Sequence, residues 1–263
     1  MKWEVVYSKI IEGIRKYFNK SGFKKGVIGV SGGLDSAITA FLTAEAIGRE
    51  NIIPLFMKAK FTSLQSQENA YELCKRISVE LIEFDITDIF DKYLEKLSKK
   101  FIIKRIEIPE ENLQARIRAN FLMYVANKEK ALVIATGNRS EILTGYCTLY
   151  GDTVGAIAPI GDLYKTEIYE LTKWINKTKG KVIPSSIIKR PPTAELNKDQ
   201  LDENELLPYR ILDPILKLYV DEKKNKEEII KAGFKKEDVE KTLSLFKSTY
   251  YKRIKLPVIV KLR

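Results

Sequence analysis

The chain has 263 residues, 44% of them hydrophobic, and its 46 basic against 35 acidic residues give a formal net charge of +11. The basic residues are interleaved with glutamates, as in KKNKEE, so they indicate a solvated, ion-paired surface more than a dedicated nucleic-acid face. With no histidine and only two cysteines, which form no CxxC pair, the composition excludes Ser-His-Asp and Cys-His catalysis and argues against a disulfide framework.

The amino-terminal residues 1–20 predict an amphipathic helix, because apolar residues recur there at helical spacing. They lack the apolar core and the small-residue cleavage site of a signal peptide. The sequence also lacks the run of about eighteen apolar residues that a membrane-spanning helix requires. We therefore expect a cytoplasmic protein with no membrane partner.

Segments typical of strands and helices alternate after this first helix. Short apolar runs predict strands, and segments with apolar residues at helical spacing predict helices between them. The predicted strands are 25–30, 52–57, 80–85 and 131–135, and the predicted helices are 35–48, 64–77, a helix from about 87, and 109–128. This alternation predicts an α/β fold with a doubly wound parallel sheet, covered by helices on both faces.

The pattern changes in the second half of the chain. Residues 145–162 have little periodicity and predict a functional loop, while 165–176 predict a helix. The proline-rich stretch 184–192 predicts irregular backbone, and 201–263 is mainly helical in pattern. We expect one domain built from an N-terminal helix (1–20), an α/β core (21–180) and a C-terminal helical extension (181–263).

A glycine-rich turn between the first predicted strand and its helix carries the strongest chemical signal. Glycine lets the backbone approach a phosphate closely, and free N–H groups at a helix start favour an anion. A carboxylate facing phosphates would repel them, so Asp35 is expected to hold a divalent cation that bridges to them. The spacing excludes a Walker A loop and a GxGxxG fingerprint. The turn consists of Gly29, Val30, Ser31, Gly32, Gly33, Leu34, Asp35 and Ser36.

The letters SGGLDS in this turn resemble the pyrophosphate-binding loop of the ATP pyrophosphatases. The resemblance implies an adenine nucleotide alpha hydrolase-like fold and an enzyme that cleaves ATP between the α and β phosphates. Such enzymes adenylate a substrate oxygen and let a nucleophile displace AMP. The loop alone does not choose among the members, which include NAD synthetases, GMP synthetases and tRNA-thiolating enzymes.

Further segments resemble those of the NAD synthetases, in the order of that family. They are NLQARIR at 112–118, ATGNRSE at 135–141, PIGDLYK at 159–165, PPTAEL at 191–196, QLDE at 200–203, and Lys252-Arg253 before Leu256-Pro257. The resemblance implies a homodimer in which the helix of the first segment runs through the interface. The site residues that it implies are Thr136, Lys165 and Thr193 for ATP, Arg116 and Lys252 for deamido-NAD, and Asp35 and Glu141 for Mg²⁺.

Simpler explanations remain open for some of these residues. Arg116 and Arg118 are two positions apart and point to different faces of a helix, so one could reach a ligand while the other pairs with a carboxylate. Both could instead be surface residues of an amphipathic helix. Glu141 could complement a helix dipole in a first turn. Lys165 opposes the dipole at a helix start, so it requires a partner, and a phosphate is one candidate.

Three positions depart from the family pattern. Leu149 replaces a lysine, Ala156 replaces an aspartate, and Tyr251 replaces a histidine. The first two of these family positions contact deamido-NAD, so the contacts with the dinucleotide must differ in this chain. The departures weaken the choice of substrate more than the type of reaction.

The predicted reaction is the ATP-dependent amidation of deamido-NAD to NAD, with release of AMP and pyrophosphate and without a protein nucleophile. The glycine-rich turn begins at Gly29, which leaves no room before it for a glutaminase domain. We therefore expect free ammonia or a separate glutaminase subunit to supply the nitrogen, and no nucleic-acid partner. The alternatives are a GMP synthetase subunit, a tRNA-thiolating enzyme, and a non-catalytic nucleotide-binding protein.

Overall fold

The structure is a computed structural model that describes residues 2–198 and 200–254. The strands are β1 (Lys25–Gly29), β2 (Ile52–Lys58), β3 (Ile82–Asp85) and β4 (Ala131–Ile134). The helices are α1 (Trp3–Ser21), α2 (Leu34–Ile47), α3 (Leu64–Arg76), α4 (Thr87–Ser98), α5 (Ile108–Glu129), α6 (Arg139–Thr144), α7 (Lys165–Thr178), α8 (Ser185–Lys189), α9 (Tyr209–Leu216), α10 (Lys226–Lys231) and α11 (Lys236–Ser248).

The four strands form one parallel sheet in the order β3-β2-β1-β4. The chain proceeds outward from β1 to β3 and then returns to place β4 on the other side of β1. The strand order therefore reverses between β1 and β4, and ligands bind at the carboxyl ends of strands beside such a reversal. The predicted α/β fold with a parallel sheet is confirmed.

Helices cover both faces of the sheet, because consecutive residues of the strands are apolar and point to opposite faces. Ile28 and Phe56 face the first layer, where they pack with residues of α1, α2 and α7. Val27 and Leu55, one position earlier in their strands, face the second layer, formed by α4 and α5. Each such side chain contributes about 1.5–3 kcal/mol of transfer free energy on burial.

The C-terminal helices pack against the edge of the α/β core where α6 and α7 lie. Leu212 and Leu216 of α9 are fully buried in a small apolar cluster with Tyr164, the residue that precedes α7. A second cluster, which includes Ile229 and Val239, joins α9 to α10 and α11. The extension therefore contacts the two helices that follow the carboxyl edge of the sheet.

Two predicted segments differ from the structure. The stretch 184–192 was predicted to be irregular, but it contains the helix α8. The prediction was wrong because Pro184 lies at the N-cap with φ −54°, where its fixed dihedral angle suits a helix start, and the next proline comes only at Pro191. The third strand begins at Ile82, two residues later than predicted.

The other segments follow the sequence-based predictions. Residues 145–162 form a loop, in which Ile157 makes a single parallel bridge to Ile134 of β4. The Leu256-Pro257 motif lies outside the described residues, and the division at residues 20 and 180 stays a prediction. Among the helices of the described segments, none combines the length and the apolar composition needed to cross a bilayer.

Candidate functional site

The glycine-rich turn leaves β1 at the carboxyl edge of the sheet and closes on itself by hydrogen bonds. Val30 still belongs to the sheet, since its N–H donates to the Leu55 carbonyl at 2.8 Å. Beyond it, the Ser31 N–H donates to Ser36 Oγ at 3.2 Å, and Ser36 Oγ donates to the Gly33 carbonyl at 3.0 Å. Gly33 is the N-cap of α2, so the turn presents the first N–H groups of that helix to the space above the sheet.

Gly32 is the point where this turn contacts α3. Its φ of +81° is in the left-handed region, and a Cβ there would lie 2.2 Å from the Ser66 carbonyl oxygen. Asn69, also on α3, donates from Nδ2 to the Gly32 carbonyl at 3.3 Å. Only glycine can meet both conditions, so the shape of the turn depends on α3 as well as on its own sequence.

The end of β4 brings a second carboxylate to the turn. Asn138 caps α6 in a capping box: its Oδ1 accepts from the Glu141 N–H at 3.0 Å, and its own N–H donates to Glu141 Oε2 at 3.1 Å. The Asn138 Nδ2 also lies 3.5 Å from Asp35 Oδ1. One asparagine therefore contacts both carboxylates that the sequence assigned to the metal.

Lys165, at the start of α7, is the cation of this site. Its side chain is 3% exposed, its ammonium is hydrogen-bonded to Asp35 Oδ2, and it lies 5.5 Å from the centre of the Tyr209 ring. Burial by itself would lower the pKa of Lys165, but the negative charges of Asp35 and Glu141 outweigh it and raise that pKa. Lys165 therefore stays charged, and its predicted need for an anionic partner is met by Asp35.

The carboxylates in this site outnumber the cation. Burial, followed by the negative charge of Asp35, raises the pKa of Glu141 well above its usual value. The buried Asp202 accepts a hydrogen bond from the Tyr209 hydroxyl at 2.8 Å, and burial raises its pKa as well. Three carboxylates thus surround one ammonium, which is an environment that favours a further cation.

A magnesium ion would fit this donor set only with help from other ligands. Mg²⁺ prefers oxygen ligands and usually keeps several water molecules beside one or two carboxylates and substrate phosphates. Asp35 and Glu141 supply two carboxylates, both facing the same cavity. Within residues 2–198 and 200–254, no group of three or more acidic or thiol side chains is arranged to hold a metal by itself. The residues present fit a metal that arrives with a phosphate ligand.

A cavity of about 880 Å³ opens above the sheet edge and unites most of the predicted site residues. The predicted residues that line it are Ser31, Gly33, Leu34, Asp35, Ser36, Thr136, Glu141, Lys165, Thr193 and Lys252. Gly29, Val30 and Gly32 lie behind this lining, where they pair with the sheet or pack on α3. Leu149, Ala156 and Tyr251, the three departures, also face the cavity.

The segment that carries Thr193 is held over the cavity by ionic contacts. The Arg190 guanidinium pairs with Glu195, and Glu195 also accepts a hydrogen bond from Ser66 Oγ at 2.6 Å. Burial opposes ionisation of Glu195, but the bonds from Ser66, Ser63 and Arg190 prevail and lower its pKa. These contacts fasten the segment to the start of α3, beside the glycine-rich turn.

The residues assigned to the dinucleotide contact backbone carbonyls in this structure. Lys252 Nζ donates to the carbonyls of Gly145 and Cys147, both at 2.7 Å. Arg116 is exposed outside the cavity lining and donates from Nε to the Leu149 carbonyl at 3.1 Å. Both side chains would have to exchange a carbonyl for the ligand. The structure brings Lys252, but not Arg116, to the wall of the main cavity.

The two arginines of α5 do point in different directions, as predicted. Arg118 is partly buried and donates from Nε to the Met57 carbonyl at 3.2 Å, whereas Arg116 reaches the loop after α6. Burial lowers the pKa of Arg118 to about 10, although the charge of Glu195 opposes that change. Arg118 therefore belongs to the wall between the sheet and the segment over the cavity.

Comparison with known proteins agrees with this geometry. The family model described as NAD synthase matches residues 6–257. The chain belongs to the NAD synthase family. Membership in this family favours the NAD synthetase resemblance over the GMP synthetase and tRNA-thiolating alternatives.

Members of the NAD synthase family share both sequence and fold with this chain. It is 44% identical over 260 residues to the glutamine-dependent NAD(+) synthetase of Thermotoga maritima. This match covers 98% of this chain and 45% of that protein. Its fold matches the glutamine-dependent enzyme of Acinetobacter baumannii in complex with ADP, at 36% identity and a TM-score of 0.73, over 100% of this chain and 47% of the other. The chain spans about half the length of these relatives.

A NAD synthase family structure of similar length also matches. It is the NH3-dependent NAD synthetase of Campylobacter jejuni, with 27% identity and a TM-score of 0.81, over 99% of this chain and 100% of that one. The likeness extends over nearly all of both chains, so the fold of this chain is that of the Campylobacter jejuni protein.

Two site residues were not predicted, although the sequence holds a signal for one. Asn138 begins the pattern N-x-x-E directly after a strand, and this pattern is typical of a capping box. Asp202 stood in the QLDE segment without an assigned role. Its place beside Tyr209 and near Lys165 depends on the packing of the C-terminal helices, for which the sequence has no local signal.

Proposed function

We propose that this chain catalyses the ATP-dependent amidation of deamido-NAD to NAD, with release of AMP and pyrophosphate. The observation that carries the proposal is the convergence of the phosphate turn, the Asp35–Glu141 carboxylates and Lys165 in one cavity at the reversal point of the sheet. Membership in the NAD synthase family supports the choice of substrate.

The reaction has two steps that need no protein nucleophile. In the first, the nicotinate carboxylate oxygen attacks the α-phosphorus of ATP, and the bond to the bridging oxygen breaks so that pyrophosphate leaves with the electron pair. In the second, ammonia attacks the carbonyl carbon of the adenylate, AMP leaves, and the nitrogen loses a proton. Positioning and charge stabilisation provide most of the rate enhancement in such a mechanism.

The residues of the chain have separate tasks in the first step. The N–H groups at the start of α2, with Ser31 and Ser36, bind and orient the pyrophosphate that leaves. Lys165 exchanges its contact with Asp35 for a contact with a phosphate oxygen and offsets the negative charge of the phosphate. Asp35 and Glu141 would hold Mg²⁺, which when bound neutralises phosphate charge and orients the leaving group. Thr136 and Thr193 face the ATP from β4 and from the segment over the cavity.

Ammonia is the nitrogen donor in this proposal, either free or delivered by a separate glutaminase subunit. The full-length likeness to a Campylobacter jejuni protein named NH3-dependent supports ammonia, whereas the curated relatives named above are glutamine-dependent. A cytoplasmic location and the absence of a nucleic-acid partner remain predictions. A homodimer through α5 is part of the proposal.

The test is to incubate the purified protein with ATP, Mg²⁺, deamido-NAD and ammonium and to follow NAD, AMP and pyrophosphate together. We expect equal amounts of the three products, and no product from Asp35→Ala. Replacing ammonium by glutamine should stop the reaction unless a glutaminase is added.

A matched set of substrates makes the test specific. Nicotinate mononucleotide carries the same carboxylate without the adenylate half, so its use would identify which part of the dinucleotide the cavity requires. Folded protein that binds ATP but forms neither NAD nor pyrophosphate would contradict the proposal, and xanthosine monophosphate and tRNA would then be tried.

A further inference from the structure

Asp213 is a buried carboxylate that lies outside the cavity and contacts the helices α6 and α7. It belongs to α9 and is 3% exposed. Its Oδ1 accepts a hydrogen bond from Ser140 Oγ at 2.6 Å, and its Oδ2 accepts from the Thr166 N–H and from Thr166 Oγ1, both at 2.8 Å. All the donors lie in the first turns of α6 and α7, so a single carboxylate joins the two helix starts.

Ser140 completes the connection between these helices. Its Oγ accepts from the Lys165 N–H at 2.9 Å while it donates to Asp213, and its side chain has no solvent exposure. Ser140 directly precedes Glu141, and Thr166 directly follows Lys165. The groups that Asp213 holds therefore lie directly beside Glu141 and Lys165. These two residues place the second carboxylate and the ammonium in the cavity.

We infer that Asp213 is a positioning residue, which fixes the relative placement of Glu141 and Lys165 by holding the starts of α6 and α7 together. The side chains of Glu141 and Lys165 come from separate helices, so their relative placement depends on how the two helix starts are held. An anion at the start of α7 also compensates the helix dipole that Lys165 opposes. Asp213 touches no substrate in this role, so it acts only through the residues that do.

The test has two arms. The kinetic arm measures kcat and rests on the proposed function, whereas the binding arm measures affinity and needs no amidation. The probe is α,β-methylene-ATP, which cannot be cleaved between the α and β phosphates. Its dissociation constant is measured by calorimetry with and without Mg²⁺ for the wild type and for Asp213→Asn. Loss of the contacts between Asp213 and the two helix starts should reduce the increase in affinity that Mg²⁺ gives by at least about fivefold. It should reduce kcat about 10- to 100-fold, since a displacement of about 1 Å lowers the rate on the order of 100-fold.

A matched control separates positioning from general loss of stability. Asn225 caps α10 in the same C-terminal extension, accepts from the Glu228 N–H at 3.0 Å, and is exposed. Asn225→Ala should lower the midpoint of thermal unfolding but leave kcat and the Mg²⁺ gain unchanged. Equal losses in Asn225→Ala and Asp213→Asn would overturn the inference.

A milder pair of variants covers the case in which Asp213→Asn does not fold. Thr166→Val removes one hydroxyl donor to Asp213, and Thr166→Ser keeps it. We expect an about two- to threefold lower Mg²⁺ gain in the valine variant, because it loses only one of the three hydrogen bonds to Asp213, and wild-type behaviour in the serine variant. Wild-type values in both variants, like an unchanged Asp213→Asn, would overturn the inference.

The two arms distinguish the possible failures. A wild type that shows the Mg²⁺ gain but forms no NAD contradicts the proposed function and leaves the binding arm to test Asp213. A wild type without any Mg²⁺ gain overturns the inference, because Glu141 would then have no metal to place.

Discussion

Lys165 is the residue whose environment most constrains the site. It is buried, pairs with the partly buried Asp35, and lies in the field of Glu141 and Asp202. Among the described residues, no other cation is in direct contact with these carboxylates. Removing one partner of a buried ion group leaves uncompensated charge, which costs about 3–5 kcal/mol. The ammonium therefore stabilises the cluster of carboxylates and, in our proposal, the phosphates during the reaction.

Replacement of Lys165 by methionine should lower the free energy of unfolding by about 3–5 kcal/mol and kcat by at least about 100-fold. Mg²⁺ should restore part of the lost stability, because it can replace the missing positive charge. Unfolding midpoints with and without Mg²⁺ measure this. Lys173→Met, on the exposed face of the same helix, removes an ion pair with Glu170 and should change stability by less than about 1 kcal/mol. A Lys165→Met variant as stable as that control would contradict the argument.

Gly32 offers a second test at the scale of a residue. Gly32 and Gly180 have nearly the same φ, +81° and +83°, but a Cβ at Gly180 meets nothing within 4 Å. Gly180→Ala should cost only about 1–2 kcal/mol for the left-handed conformation and leave ATP affinity unchanged. Gly32→Ala must also displace α3 or the turn, so it should cost more and weaken ATP binding at least about tenfold. Urea unfolding and ATP titration of both variants measure the difference.

The elements around the cavity are joined by contacts between distant parts of the chain. Ser63 caps α3, and Ser66 in the first turn of that helix donates to the carboxylate of Glu195, which follows α8 by several residues. Gly32 packs on the same end of α3. The start of α3 thus contacts both the glycine-rich turn and the segment that bears Thr193. A change in the position of one is therefore expected to displace the other.

The contact of Glu195 with α3 should make stability depend on pH in a defined way. Because its folded pKa is lower than the ordinary value of 4.5, its stabilisation is present above pH 4.5 and is lost as the pH falls through the folded pKa. Glu195→Gln should therefore cost about 1.5–3 kcal/mol at pH 7, and the difference from the wild type should shrink below pH 4.5. Unfolding at several pH values measures it. Glu72→Gln, in a more exposed pair with Arg76, should cost less than about 1 kcal/mol. A difference that stays constant down to low pH would contradict the role of the Glu195 charge.

At the scale of the whole molecule, α5 has apolar side chains on both sides. Ile117 and Leu122 are buried against the sheet, while Met123 and Tyr124 remain 41% and 70% exposed. Large apolar side chains exposed on an otherwise charged protein are typical of an association surface. This agrees with the homodimer that the family resemblance implies through the same helix.

Sedimentation analysis should find a dimer that Tyr124→Lys converts to monomer, because a charge in the centre of an apolar interface would lose its water. Tyr17→Lys is the matched control. Tyr17 is also an exposed tyrosine, 38% exposed, but it lies on α1, across the sheet from α5. A wild-type monomer, or a dimer that survives Tyr124→Lys, would contradict the assignment of this surface.

The positions of most elements could be predicted from the sequence, because they depend on local patterns. Alternation and helical spacing mark β1, β2, α2 and α5 to within one or two residues. The sequence does not predict the helix α8, because prolines at either end of its segment favour irregular backbone. Only the dihedral angle of Pro184 and the absence of proline in 185–189 show why a helix forms there.

The sequence by itself determined the parallel α/β fold, the glycine-rich turn and the charged residues available for chemistry, since each depends on residue types at short spacing. The tertiary structure decided which of them meet. It placed Asp35, Glu141 and Lys165 in one cavity and Arg116 outside it. It also brought Asp202 of the C-terminal extension to the cavity, and Asp213 to the starts of α6 and α7. The physical reason is that burial and charge compensation depend on contacts between distant residues, and such contacts leave no local pattern in the chain.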